Sequence, residues 1–445
     1  MDIFSALPYP YVSVAAVSLL LYLVAGAVNR LYFSPIASFP GPKLAALTFC
    51  PAEIHVETPS FADELYNTNR RRDKWERFTR CFGIPDSDAP RRPQPVFSTA
   101  SVRRLQPVIE ERLDRLLERF AEFQETGETM AYAFARCEHR IEDKDFDLSF
   151  HDASMMGSAL GQFMKQFPWV ITLMQALPDW VAVLLNKDMA LLRQASTRLT
   201  SNPKSKPSNR APTPTTKPYP IRPSSTRSST PNSPPAEKSF DRLWQDGQVT
   251  VVAGTLTTAW ALSVTHYHLA NPSALAKLKA ELASAIPDPF TTTPLATLER
   301  LPYLAAVIQE SLRLSCGVST RLQRIAPVEA LCFTDPASGT LDARYFPVPL
   351  SFRPERWLEN PRLDRFCLPF SKGSRQCVGM GLAYAEIFLA LARIWRVYGS
   401  DEVQGVGDRG VLRLEGTDGR DVTIVGNATT PLVWKGTKGV RIVVR

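Results

Sequence analysis

Apolar residues recur along this chain at helical spacing for most of its length and at strand spacing only near its end. Over 11–28 the run YVSVAAVSLLLYLVAGAV carries no charge on any face; it predicts a helix of about 27 Å with no polar side to offer water. Over 100–123, Val102, Leu105, Ile109, Leu113, Leu116, Phe120 and Phe123 return every three or four residues, the spacing of a helix that buries one stripe. Apolar text interrupted by prolines over 155–192 predicts more helix. Further helices are expected over 243–269, 275–282 and 302–314, the last with proline in its first turn. Beyond Ala326 the text breaks into short β-like pieces and turns, one more helix over 379–397, and strands over 411–414, 422–425 and 440–444. There is no internal repeat. The fold class is mainly α with a minor β part.

Composition changes this picture in one place. The stretch 201–240 holds ten prolines among many Ser and Thr, too little apolar surface to offset the entropy of ordering, so 199–238 is expected to be a linker or disordered insert. Seven bases lie there (Lys204, Lys206, Arg210, Lys217, Arg222, Arg227, Lys238) against Glu237 alone, which is +6 of the net +8. The remaining chain is nearly neutral and offers no basic face, so nucleic acid is not an expected partner. At 44% apolar and 22% charged residues, neither wholesale disorder nor a many-span membrane protein fits. The expected organisation is 1–30, a membrane anchor; 31–198, the N-terminal part of the main domain; 199–238, the insert; and 239–445, the remainder.

The first apolar run matches the hydrocarbon thickness of a bilayer. Ala25-Gly26-Ala27 resembles a signal-peptide cleavage site, but no base precedes the run, whereas Arg30 and Lys43 follow it. An uncleaved anchor with the bulk of the chain in the cytosol is the better expectation. Phe39-Pro40-Gly41-Pro42 suits a stiff connector. Seven scattered cysteines, odd in number and without CxxC spacing, agree with a reduced compartment and exclude a disulfide scaffold or zinc ribbon.

One cysteine stands apart. Phe370-Ser371-Lys372-Gly373-Ser374-Arg375-Gln376-Cys377-Val378-Gly379 directly precedes a predicted helix. Free N–H groups and the positive end of the helix dipole favour a thiolate there. Gly373 permits a tight turn, Arg375 offers a cation to a nearby anion, and Gly379 leaves room for a flat group. A shielded thiolate with donors and a carboxylate partner is what an axial sulfur ligand of haem iron requires.

The string resembles the haem-binding loop of cytochromes P-450, F-x-x-G-x-R-x-C-x-G, and three further pieces follow that family's order. Glu310-Ser311-Leu312-Arg313 is similar to its E-x-x-R, and Phe352-Arg353-Pro354-Glu355-Arg356-Trp357 to its P-E-R-W segment. Positions three apart share a helix face, so Glu310 and Arg313 can pair and offer a carboxylate to Arg356. Ala253-Gly254-Thr255-Leu256-Thr257-Thr258 resembles A-G-x-(D/E)-T-T of the oxygen-binding helix. Phe39-Pro-Gly-Pro-Lys-Leu, Lys165-Gln-Phe-Pro-Trp169 and Arg321-Leu-Gln-Arg324 are similar to fungal microsomal members near the trichodiene-oxygenase-like group.

The resemblance implies that family's fold and a haem whose iron is bound by Cys377. Phe370, Gly373, Arg375 and Gly379 would shape the loop, with Arg324 and Arg375 pairing the propionates. Gly254, Thr257 and Thr258 would stand at the oxygen site, and Glu310, Arg313 and Arg356 would be structural. The implied reaction inserts one atom of dioxygen into a lipophilic small molecule, with electrons from NADPH through a flavoprotein reductase, at the endoplasmic reticulum membrane. Terpenoid or polyketide secondary metabolism is the implied setting.

Departures matter too. The family's C-helix W-x-x-x-R fails here, since Trp75 is followed by Thr79 and Arg80, and Pro90-Arg-Arg-Pro-Gln-Pro95 comes next. The insert stands in place of the F–G region that roofs the substrate, and the segments between Arg313 and Phe352 look shortened. Leu256 replaces the acidic residue of the oxygen-site pattern. A non-catalytic remnant or misassembled product therefore stays open, as does a haem-thiolate isomerase or dehydratase that needs no oxygen; Leu256 fits the latter and Thr257 argues against it. Gly254 in a helix suggests a close approach or a local opening. Gly405-Val-Gly-Asp-Arg-Gly410 lacks a preceding strand and is a turn, not a nucleotide loop.

Overall fold

The computed structural model describes residues 9–34, 61–74, 97–131, 240–319, 324, 343–428 and 430–445. The expected helix over 155–192, the insert at 199–238, the connector near Phe39, the broken C-helix pattern from Trp75 to Pro95, the motifs at Lys165 and Arg321, and most of the shortened stretch before Phe352 lie outside those residues. Two compact units divide the chain, one comprising Met1–Thr58 with Thr334–Ala337, the other Pro59–Phe333 with Ser338–Arg445.

In the first unit, helix α1 (Tyr9–Val28) continues into one π-turn, Asn29–Phe33. Its large side chains are exposed, among them Leu20, Leu21 and Tyr22. The window Ala16–Phe33 is long and apolar enough to cross a membrane, and an apolar helix with no buried face needs a non-aqueous surface.

The second unit is built on helices α2 (Ala62–Leu65), α3 (Thr99–Thr126), α4 (Phe240–Leu269), α5 (Pro272–Ala285), α6 (Leu295–Leu298), α7 (Pro302–Ser315), α8 (Glu355–Glu359) and α9 (Met380–Val397). Local chemistry accounts for their ends. Ser98 caps α3 by accepting from the Ser101 N–H, and Gly127 ends it in the left-handed region with its N–H on the Phe123 carbonyl. Asn271 caps α5, and Pro272 occupies its first position. For α7 no local side chain serves; Glu281, from α5, accepts from the Tyr303 and Leu304 N–H groups at 2.8 Å each. A carboxylate at a helix N-terminus also opposes the positive dipole end.

Helix α9 is the centre of the core, apolar at Ile387, Phe388, Leu389, Leu391, Ile394 and Trp395, and it contacts α3, α4, α5, α6 and α7. Leu275, Leu278, Leu282, Leu304, Val307, Ile308 and Leu391 have no exposed surface; each such side chain contributes roughly 1.5–3 kcal/mol by burial. Strands β1 (Thr129–Ala131), β2 (Tyr398–Gly399), β3 (Gly410–Leu414) and β6 (Arg441–Val444) form a sheet in the order β1-β6-β3-β2, antiparallel except for β2 with β3. Strands β4 (Gly426–Ala428) and β5 (Thr430–Leu432) make a separate hairpin.

The mainly helical class with a minor β part is as expected, and so are α3, α4, α5, α7, α9, β3 and β6 to within a few residues. The strand expected over 422–425 is displaced. Asp418 accepts from the Arg420 N–H and Asp421 returns a bond to the Asp418 N–H, so a capped 3-10 turn at Gly419–Asp421 takes up the chain and pairing is delayed to β4. The glycine string near Gly405 is a loop, in which Asp408 accepts from the Gly405 N–H at 2.8 Å and from the buried Lys279 ammonium at 2.8 Å.

A candidate cofactor site around Cys377

The loop before α9 is folded by backbone conformation. Ser371 and Gly373 both take positive φ, 57° and 76°, which turns the chain back so that the Cys377 N–H donates to the Phe370 carbonyl at 2.9 Å. The Phe370 ring anchors the loop on Tyr384, with centroids 5.0 Å apart, and packs on the core. Cys377 is exposed at the loop's end. Helix α9 starts with Gly379 as its N-cap and no capping side chain. A Cβ built on Gly379 would already touch the Cys377 sulfur at 4.0 Å. The loop thus presents a thiol at a helix N-terminus, as its sequence implies.

The two expected propionate arginines stand at the same loop. Arg324 donates from Nη2 to the Ser371 hydroxyl at 2.9 Å and lies over the Tyr66 ring at 5.1 Å. Arg375, its side chain only 8% exposed, donates from Nε to the Arg72 carbonyl at 2.9 Å and from Nη2 to Asp73 Oδ1 at 3.1 Å. Sequence spacing does not reveal this second set of partners. The strap 61–74 crosses the loop: Asp63 pairs with Arg365 and Lys372 at 3.4 and 3.6 Å, and the Ser374 hydroxyl accepts from the Arg72 N–H at 3.2 Å. A Cβ on Gly373 would meet the Tyr66 carbonyl oxygen at 2.4 Å. Hence Gly373 serves the turn and also admits the strap. The Arg71 guanidinium holds the Asp73 carboxyl below the usual carboxylate range, helped by Arg375.

Behind the loop, Glu310 is saturated with donors. It is fully buried and accepts from Arg313 Nε at 2.9 Å and Nη2 at 2.8 Å, the Arg353 N–H at 3.0 Å, Arg356 Nε at 3.1 Å and the Trp357 indole at 2.9 Å. The expected Glu310–Arg313–Arg356 cluster therefore forms, with Trp357 as an unforeseen fourth member. An uncompensated carboxylate at such depth would cost several kcal/mol. Arg313 and Arg356 also donate to the Pro349 and Pro347 carbonyls at 2.6 and 3.2 Å, which pins the 345–351 turn.

On α4, Thr257 is half-buried and its hydroxyl donates to the Ala253 carbonyl at 2.8 Å. This is the bond back to the preceding turn that any helical threonine can make. A Cβ on Gly317 would lie 3.7 Å from Thr257 Cβ, so the chain leaving α7 passes beside this residue. The helix is unbroken here, so the local opening expected of Gly254 is not seen, and among the described residues a Cβ on Gly254 would meet nothing within 4 Å. Leu256 and Thr258 point into the protein, 8% and 6% exposed. The acidic position of the pattern thus faces protein rather than open space. His266 and His268 face apart, stacked on Trp395 and Phe352 respectively.

The donor set fits haem. One soft thiolate suits iron, and two guanidinium groups flanking the same loop match two propionates.

Comparison with known proteins agrees with this chemistry. The family model described as Cytochrome P-450 matches residues 99–408. A cytochrome P-450 monooxygenase of Cochliobolus heterostrophus is 38% identical over 93% of each chain. Another, of Talaromyces wortmannii, is 36% identical over 96% of this chain and 97% of its own. A tryptophan 6-hydroxylase of Fusarium equiseti is 32% identical over 94% of each. The first alignment spans 495 positions, whereas 93% of 445 residues is about 414, so about 80 positions face no residue of this chain. With this match over most of its length and its mainly helical fold, the chain belongs to the cytochrome P-450 family, as a haem-dependent monooxygenase of the oxidoreductase class.

Proposed function

We propose that this protein inserts one oxygen atom from dioxygen into a lipophilic small molecule of fungal secondary metabolism, a terpenoid or polyketide intermediate, with Cys377 as the axial ligand of its haem. The observation that carries the reading is the loop itself: an exposed thiol directly before an uncapped helix, flanked by two arginines. When bound, the haem iron would supply the activation of dioxygen, one atom going to the substrate carbon and the other leaving as water with two electrons and two protons supplied.

The chain's own residues would hold and shield. Phe370 fixes the loop against the core, so the Cys377 sulfur is presented from a rigid base. Arg324 and Arg375 would take the propionates by charge-assisted hydrogen bonds. Thr257 Oγ1 has its proton on the Ala253 carbonyl, which leaves the oxygen's lone pairs to accept from a donor in the open space beside Gly254. With Leu256 at the acidic position, protons would reach that space through the Thr257 hydroxyl and water. The Thr257 hydroxyl, which an isomerase or dehydratase does not need, favours oxygen chemistry over those alternatives.

Membership of this family supports a lipophilic substrate. Asn427 Nδ2 donates to the Ser319 carbonyl at 2.9 Å, tying the β4–β5 hairpin to the segment that passes Thr257, and Val318 and Val425 on these pieces are exposed. Electrons would come from NADPH through a flavoprotein reductase, and α1 would anchor the protein in the endoplasmic reticulum membrane with its catalytic unit in the cytosol. By the same reading, 1–30 is the anchor, 31–198 and 239–445 are the two parts of the haem domain, and 199–238 is an insert between them.

The carbon monoxide difference spectrum of the reduced full chain tests the ligand. The wild type is expected to give the thiolate band near about 450 nm and Cys377→Ala to lose it. A Cys377→Ala protein that keeps the band would show that the sulfur comes from elsewhere.

A further inference from the structure

Arg375 carries a long flexible side chain, and holding such a group in one direction costs rotamer entropy unless its surroundings already fix it. Two consecutive residues of the strap take the same edge of its guanidinium, the Arg72 carbonyl on Nε and the Asp73 carboxylate on Nη2. One bond would leave the plane free to turn; two on one edge define it.

Both acceptors are themselves held. The Arg72 side chain is 2% exposed and donates to the Leu65, Arg71 and Glu64 carbonyls at 3.1–3.2 Å, so the backbone at Arg72 is fixed to the end of α2. Asp73 is also gripped by Arg71, whose Nε lies 3.2 Å from Oδ1, the oxygen that Arg375 takes, and whose Nη2 lies 2.8 Å from Oδ2. Because Arg71 already balances the Asp73 charge, Asp73 withdraws little of the positive charge that Arg375 would offer an anion.

We propose that Asp73 is a positioning residue of the cofactor site, aiming the Arg375 guanidinium at a haem propionate from outside the cysteine loop. The inference rests on the reading of Arg375 as a propionate partner. The strap is thus part of the haem site although it bears none of the family's motifs. The opposite role, an anion that a propionate must displace, predicts the reverse effect on haem retention.

Haem release from the loaded full chain, followed in the Soret region on transfer to excess apomyoglobin, separates these cases. Arg375→Ala is expected to release haem about tenfold faster, one charge-assisted bond being lost. Asp73→Ala should be several-fold faster than wild type. Asp73→Asn, which keeps an oxygen acceptor, should stay within about twofold of wild type. The double variant should be no faster than Arg375→Ala alone, because Asp73 acts only through that residue. If Asp73→Ala does not fold, Asp73→Glu, which displaces the carboxylate by a methylene, should also speed release. Slower or unchanged release by Asp73→Ala, or by Asp73→Glu where the alanine variant does not fold, or additive rates in the double variant, overturns the positioning role. An unchanged rate in Arg375→Ala overturns the propionate reading itself.

Discussion

Gly373 meets two demands that no other residue can satisfy together. Its φ of +76° lies in the left-handed region, and its missing Cβ is where the Tyr66 carbonyl, the Tyr66 carbonyl carbon and the Asn67 carbonyl come within 3.0 Å. All three obstacles are backbone atoms, so an added methyl must push the strap away rather than turn a side chain aside. Gly373→Ala is expected to destabilise the protein by roughly 2 kcal/mol or more from the left-handed conformation and the displaced strap together. Thermal melts and haem content per mole of protein check this; a variant matching wild type in both would mean that the strap yields at no cost. At this scale, contiguous chemistry is legible. The loop from Phe370 to Gly379 falls within one turn and one helix start, and Glu310 with Arg313 lie three apart on one face, so their spacing alone pairs them. Asp73 is not legible, because nothing in a local window relates it to a residue 302 positions away. Thr257 illustrates the converse: its pattern is clear, yet its hydroxyl is engaged by its own helix.

Among the elements, the turn between Pro347 and Ser351 carries a poor local choice. Val348 has φ +50° and is 70% exposed, and its carbonyl accepts from the Ser351 N–H at 3.0 Å. A β-branched side chain pays a steric penalty in that region, while Asn tolerates it. The flanking carbonyls of Pro347 and Pro349 are fixed by Arg356 and Arg313, so the turn cannot relax. Val348→Asn is therefore expected to stabilise the protein by about 1 kcal/mol, seen as a higher melting temperature with an unchanged haem spectrum. A lower melting temperature would show that the exposed valine makes contacts that matter more. Long helices could be read from periodicity because many residues vote for one spacing. Short pieces could not: β1 has three residues, and only its pairing with β6 defines it, while the displaced hairpin strand was decided by the Asp418 cap.

For the molecule as a whole, one buried and one half-buried histidine set a lower limit of pH. Burial holds His266 at a pKa of about 3 and His268 at about 4, both below the ordinary value near 6.5. The unfolded chain therefore binds more protons as the solution is acidified, and stability present above pH 6.5 is lost as the pH falls toward those values. Each residue withdraws roughly 2 kcal/mol by pH 5. Melting at pH 7.5 and pH 5 should differ by several degrees, with the difference about halved in His268→Asn; a pH-independent melting temperature would place both rings in contact with water. Two positions apart on a helix, these histidines must face apart, but that each would be stacked and His266 buried depends on Trp395 and Phe352, about 84 to 129 residues further along. The strap across the cysteine loop has a consequence in time. Residues 61–74 leave the ribosome early, and their partners at Arg365, Lys372, Ser374 and Arg375 follow some 302 residues later. At 5–20 residues per second that interval is roughly 15–60 s. Throughout it the strap has nothing to cross, so its contacts with the cysteine loop form only after nearly the whole chain has been made, and on the reading of that loop as the haem site a chain that stops short of it would be released without the means to keep haem.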